Sequence, residues 1–279
     1  MADVNLLISQ LASARKKEEK CAAISELGNL GDEKAIKILV RYLNQEQDNE
    51  IKSFATSALI NINSKKATQL LIRLLRSNSW ITRMKAVETL GELEDKKAII
   101  ALIRLLRNDP ESSVREWAAI SLGKIGDKKA VNPLINSLTN DSHLEVRMEA
   151  ANALGKIKDK KAKDALVKSF YSDSEYQVSW ASASALASLN DGESKKLLKE
   201  LTKELIIILE NEKDEIILSA AAKTLGEIGN EIAAKIMVRT MKVSKELVRL
   251  EINLALGKIA KRLNYKSRED FIDNIKLKS

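Results

Sequence analysis

The sequence is poor in the residues that build turns, staples and reactive centres. Its 279 residues include two prolines, ten glycines, one cysteine and one histidine, and aromatics make up 4%. Each scarcity excludes something. The lone Cys21 rules out an internal disulfide framework and any CxxC metal or redox motif, and it fits a reducing compartment. The lone His143 rules out multi-histidine metal sites. No glycine-rich phosphate loop is present. No run of about 18 apolar residues marks a membrane span. The opening MADVNLLISQLASARKKEEK lacks a basic segment followed by an apolar core, so the expected location is cytoplasmic.

What remains is a helix-forming vocabulary of Ala, Leu, Ile, Lys, Glu and Ser. A hydrophobic share of 44% suffices for a core, so disorder is not expected. The net charge of +8 favours anionic partners without naming a kind.

Stretches built around Leu-Gly recur, with glycines at Gly28, Gly91, Gly123, Gly155, Gly226 and Gly257. Ile60 and Ala187 fill two empty slots, and successive intervals are 32, 31, 32, 32, 32, 39 and 31 residues. Such a period predicts stacked helical hairpins. In one unit, Lys96 to Asn108 places Ile99, Leu102, Ile103 and Leu106 on one helical face, and Ser113 to Ile125 does the same with Val114, Ala118, Leu122 and Ile125. Asp32, Ser64, Asp95, Asp127 and Asp159 occupy an N-cap slot before five of the first helices. The reading is all-α: one domain over 1–279, with about eight hairpins at roughly 4–31, 32–63, 64–94, 95–126, 127–158, 159–190, 191–229 and 230–262. A closing helix follows at 267–277. The interval of 39 implies a longer helix, Lys195 to Asn211, that protrudes or bends the stack.

The pattern from Val114 to Ala130, V-R-x-x-A-A-x-x-L-G-x-I-G-D-x-x-A, resembles HEAT repeats of the phycobilisome-lyase type. Val-Arg recurs at Val146–Arg147 and Val248–Arg249, and Pro133 lies in a first helix, as is common in HEAT repeats. The resemblance covers nearly the whole chain. It implies a right-handed α-α superhelix whose second helices line a concave face.

Placed on that face, the slot of Arg115 reads Lys20, Lys52, Arg83, Arg115, Arg147, Ser179, Leu218 and Arg249. Such a basic ladder bridges to acidic turns of neighbouring units or else contacts a ligand. The next two slots contain Phe54, Met84, Trp117, Met148 and Trp180. These side chains either form an apolar binding patch or fold over neighbouring helices as core. Between units, Lys65, Lys66, Lys96, Lys97, Lys128, Lys129, Lys160 and Lys161 form a basic edge, with Lys195 and Lys196 roughly continuing it. Acids at Asp48, Glu50, Asp109, Glu111, Asp141, Glu145, Asp173 and Glu175, then Glu212, Asp214 and Glu215, form the opposite edge. Either edge orients a charged partner or is simply solvated.

Three functions follow. The first is a non-enzymatic scaffold that binds a protein partner on the concave groove of Phe54, Met84, Arg115, Trp117, Arg147, Met148 and Trp180, without cofactor or metal. The second, implied by the repeat type, is a bilin lyase or lyase subunit acting on a phycobiliprotein, its tetrapyrrole held by Trp and Met. The third is nucleic-acid binding of the kind seen in HEAT-like DNA glycosylases, where Trp117 adjoins Glu116 near Arg115 and Arg147. Cys21, between Lys20 and Ala22 with no imidazole nearby in sequence, is a poor nucleophile, and His143 reads as a surface turn residue.

Overall fold

The computed structural model describes residues 3–62, 65–189 and 192–277, and among them lie seventeen α-helices and no strand. The first-layer helices are α1 (Val4–Ser13), α3 (Ile36–Gln45), α5 (Lys65–Leu74), α7 (Ile99–Asn108), α9 (Val131–Asn140), α11 (Lys163–Ser172), α13 (Gly192–Asn211) and α15 (Glu231–Val243). The second-layer helices are α2 (Lys17–Leu30), α4 (Asn49–Ile62), α6 (Trp80–Glu92), α8 (Ser112–Ile125), α10 (Leu144–Ile157), α12 (Tyr176–Leu189), α14 (Glu215–Ile228) and α16 (Glu246–Arg262). They pair as eight hairpins, and α17 (Arg268–Leu277) follows. The chain divides into two compact units, Met1–Ala153 and Leu154–Ser279.

The hairpins start where the sequence places caps. The carboxylates of Asp32, Asp95, Asp127 and Asp159 accept from the backbone N–H two residues on, at 2.8–3.0 Å, and each opens a 3-10 turn into a first helix. Such a cap is worth about 1 kcal/mol. Ser64, the fifth member of that slot, lies outside the described residues. First helices bury one stripe, as in Ile99, Leu102, Ile103 and Leu106 of α7. Pro133 falls in the first turn of α9, where its missing N–H is no loss and no kink is needed.

Second helices bury two sides, and the recurring glycine explains how. A Cβ built on Gly28 would stand 2.7 Å from Ala58 Cα, and one on Gly226 would stand 2.9 Å from Ala255 Cα. The backbones of successive second helices therefore touch, and a small residue two positions before the glycine slot of the next unit completes the fit. At Gly257, on the last second helix, nothing lies within 4 Å. Identical motif positions should thus respond oppositely to alanine. Gly28→Ala is expected to cost about 1–3 kcal/mol through overpacking, which outweighs the ~1 kcal/mol gained in helix propensity. Gly257→Ala gains that propensity with no clash and should stabilise by about 0.5–1 kcal/mol. Denaturant midpoints report both, and shifts of the same sign would refute the close-approach account.

In the second unit, α13 runs for 20 residues. Leu201, Leu205 and Leu209 are buried, so its later turns pack into the unit instead of protruding, while Lys195, Lys196, Lys199 and Glu200 near its start are exposed. Phe271 and Ile275 of α17 close the core formed by α14, α15 and α16.

Candidate partner-binding face

The basic ladder is built into the wall of the first unit. Arg83 holds both carboxylate oxygens of Asp109 at 2.7 Å, and Arg115 holds those of Asp141 at 2.8 and 2.9 Å. Each arginine reaches the turn of the following hairpin and also donates to carbonyls in its own turn, as Arg115 does to Asp109 O at 2.9 Å. Lys20 pairs with Glu46 at 3.0 Å, Lys52 donates to Thr82 Oγ1 at 3.2 Å, and Arg147 donates to Asp141 O at 3.0 Å. At Lys20, Lys52, Arg83 and Arg115 the ladder therefore bridges successive hairpins, whereas this Arg147 bond stays within its own turn. Burial alone would raise the Asp141 pKa, but the hydrogen bonds from Arg115 and from the His143 backbone N–H hold it below the ordinary range. His143 is an exposed residue of this turn, its ring 3.2 Å from Arg115 Nη2.

These pairs revise the expected acidic edge. Asp109 is buried and Asp141 half-buried, because each serves as counter-ion to an arginine of the preceding hairpin. Asp48 and Glu50 likewise receive Lys17. Asp48, Glu50, Asp109 and Asp141 are thus structural ties in the first unit, while Glu111 and Glu145 of the same edge are exposed. The basic edge differs. Lys96, Lys97, Lys128 and Lys129 of the first unit, and Lys160 and Lys161 of the second, are all exposed in their 3-10 turns. The side chains of Lys65 and Lys66 lie outside the described residues.

On the second-helix face of the first unit, Phe54 (α4), Met84 (α6), Trp117 (α8) and Met148 (α10) are all partly exposed. They are neither core nor fully solvated. One residue was missed by the slot comparison. Trp80 opens α6 and is 40% exposed, and it stands four residues before Met84, hence on the same side of the helix. The charges nearby are largely engaged. Lys85 pairs with Glu88 at 2.8 Å, and Lys124 pairs with Glu92.

Glu116, beside Trp117, is the exception. Burial first, then the charges of Glu149 and Glu145, push its carboxyl above the ordinary 4.5. The native state then binds that proton more tightly than the unfolded chain, so stability falls as pH rises through the folded pKa. Glu116→Gln should therefore stabilise the protein at about pH 7 and lose that advantage below about pH 4.5. Urea midpoints at the two pH values measure it, and an equal effect at both would show that the charge is not the cause.

Trp180 belongs to the second unit and has different surroundings. Lys223 Nζ lies 4.4 Å from its ring centroid and Lys258 Nζ lies 5.4 Å away, while Lys258 also pairs with Glu227. The ring is partly exposed but capped by two ammonium groups, and its indole N–H is buried without an acceptor. These lysines follow on the next two second helices, in the slots of Ile120 and Lys124, so the repeat alignment held the signal.

Cys21 is buried, and burial followed by the charge of Glu50 raises its thiol pKa, which leaves it protonated and unreactive near neutrality. Among the described residues, no helix is long and apolar enough to cross a membrane.

Comparison with known proteins agrees with this architecture. The family model described as HEAT repeats matches residues 4–80, 43–123, 72–153, 101–187 and 131–204. The karyopherin Kap121p, solved bound to the extreme C-terminus of the protein phosphatase Cdc14p, is similar at a TM-score of 0.67 and 14% identity over 98% of this chain and 34% of that one. Importin beta is similar at a TM-score of 0.57 and 15% identity over 92% of this chain and 39% of that one. The chain thus spans a little over a third of the length of either of these two proteins. The complex of CpcE and CpcF of phycocyanin lyase from Nostoc sp. PCC7120 is similar at 20% identity and a TM-score of 0.47, over 99% of this chain and 94% of that one. A search of curated proteins gave no match. The repeat seen in the sequence, the capped hairpins and the matching model together show that the chain belongs to the HEAT-repeat family.

Proposed function

We propose that the chain is a non-enzymatic scaffold that captures a protein partner on the second-helix face of residues 1–153, the concave side of a HEAT array. One observation carries this reading. Phe54, Trp80, Met84, Trp117 and Met148 stay partly exposed on successive second helices, while neighbouring Ala55, Ala86, Ala118 and Ala150 are buried. Trp and Met supply large, adaptable contact area, and such side chains dominate binding energy in interfaces. The cations of this face are tied to Asp109, Asp141, Glu88 and Glu92, so it presents apolar area flanked by the carboxylates of Glu116 and Glu149. A partner segment with apolar anchors and basic residues suits it.

The same inventory weighs against nucleic acid on this face, because its arginines are already engaged and its free charges are acidic. A tetrapyrrole would use the same Trp and Met side chains, and mixing the purified protein with a bilin tests that reading through a shift in visible absorbance. The scaffold reading is tested by replacing Trp117 and Met84 together with alanine. Both are partly exposed, so helical content should be kept while partner affinity falls at least about a hundredfold, as loss of two anchors implies. Unchanged partner binding in that variant would place the interface elsewhere.

A further inference from the structure

The first-helix layer carries a second surface of opposite character. In residues 1–153, α5, α7 and α9 border an open groove of about 840 Å³. Five cationic side chains line it: Arg76 just beyond α5, Arg104 and Arg107 on α7, and Lys97 and Lys129 in the turns that open α7 and α9. No carboxylate lines the groove, and none of the five forms an ion pair among the described residues. Its floor is aliphatic, and Ile100 is 70% exposed there.

Helix stability does not account for this set. A helix C-terminus favours cations, which suits Arg107. Lys97 and Lys129 sit at N-terminal ends, where the helix dipole disfavours positive charge. Five like charges along one groove also repel one another in a chain that already carries +8. An anionic occupant relieves both costs at once.

We propose that this groove docks an acidic peptide segment of a partner protein, with carboxylates on Arg104 and Arg107 and an aliphatic side chain against Ile100. The fit in size is simple. Lys97 and Arg107 are ten residues apart, about 15 Å along a helix, which an extended peptide of about five residues spans. Arginine pairs planar carboxylates through two parallel hydrogen bonds, and an aliphatic floor adds apolar burial that a phosphate backbone does not use. No aromatic ring lines the groove, so it lacks the stacking platforms on which single-stranded nucleic acid depends.

The test is fluorescence anisotropy on the full-length protein with two labelled probes. One is a peptide of alternating glutamate and leucine, and the other is a single-stranded DNA of matching charge. Arg104→Gln with Arg107→Gln should weaken peptide binding about tenfold or more, since charge-assisted pairs are lost. Lys195→Gln with Lys196→Gln, which removes equal charge from α13, should leave it within about twofold. Ile100→Ser should weaken it several-fold with no change in charge, and the exposure of Ile100 keeps the fold intact. Trp117→Ala should leave it unaffected, which separates this groove from the second-helix face. Equal losses in both charge-removing pairs would reduce the effect to diffuse electrostatics and overturn the proposal. So would absence of peptide binding, or DNA binding in its place.

Discussion

Replacing Asp109 with alanine is expected to destabilise the protein by about 3–5 kcal/mol, the usual cost of stranding a buried charge. The Asp109 side chain is 2% exposed and that of Arg83 is 11% exposed. Besides both Arg83 bonds, Asp109 accepts from the Glu111 backbone N–H at 3.1 Å at the entry to α8. Without it, the Arg83 guanidinium keeps only the carbonyls of Ser77 and Asn78, at 2.9 and 3.3 Å. Removing both charges should be milder. Arg83→Met with Asp109→Leu leaves no ion unpaired, and the double variant should recover most of the lost stability. Urea unfolding of the three variants against wild type measures this. A double variant as unstable as the single would show that packing, not charge, carries the effect.

The second large effect lies in the other unit. Phe271→Ala is expected to cost about 3–5 kcal/mol, the range for truncating a fully buried aromatic. Phe271 is 0% exposed and sits 4.8 Å, centroid to centroid, from the Tyr265 ring. From α17 it covers the buried side of the hairpin of α15 and α16, in one core with Ile252, Leu256 and Ile259. Arrays of this kind need such a closing element, because each hairpin buries its core only against a neighbour. Hydrogen exchange should speed up first in α15, α16 and α17. A loss under about 1 kcal/mol would mean that α17 is dispensable to the core.

Much of this was legible in the sequence, for identifiable reasons. Caps are local, so Asp32, Asp95, Asp127 and Asp159 could be assigned from position alone. The glycine slot is periodic because backbone contact between second helices recurs every hairpin. The bridging of Arg115 to an acidic turn was one of two readings that its slot allowed, contact with a ligand being the other. What the pattern could not supply was the rotation of each helix about its axis, which decides whether a large side chain is core or surface. Phe54, Met84, Trp117 and Met148 prove intermediate, and Trp180 is covered by lysines that arrive from two other helices. Nor did the turn acids show from sequence that they were counter-ions buried beneath the surface. The cationic groove left a trace that comparing second helices alone did not use. Arg-Leu-Leu-Arg occurs at the ends of two successive first helices, at Arg73 to Arg76, which runs just past α5, and at Arg104 to Arg107 in α7, whereas the same slots hold Asn136 and Thr139 in the next unit.

The central claim is that partner capture runs through the second-helix face around Trp117. It is tested most directly by parallel affinity purification from the native host of the wild-type chain and the Met84→Ala, Trp117→Ala variant, with proteins, pigment and nucleic acid quantified in each eluate. The account predicts a protein retained stoichiometrically by the wild type and lost from a variant of unchanged helical content. Retention of the same protein by both forms, or an eluate in which pigment or nucleic acid is the species that depends on Trp117, would contradict it.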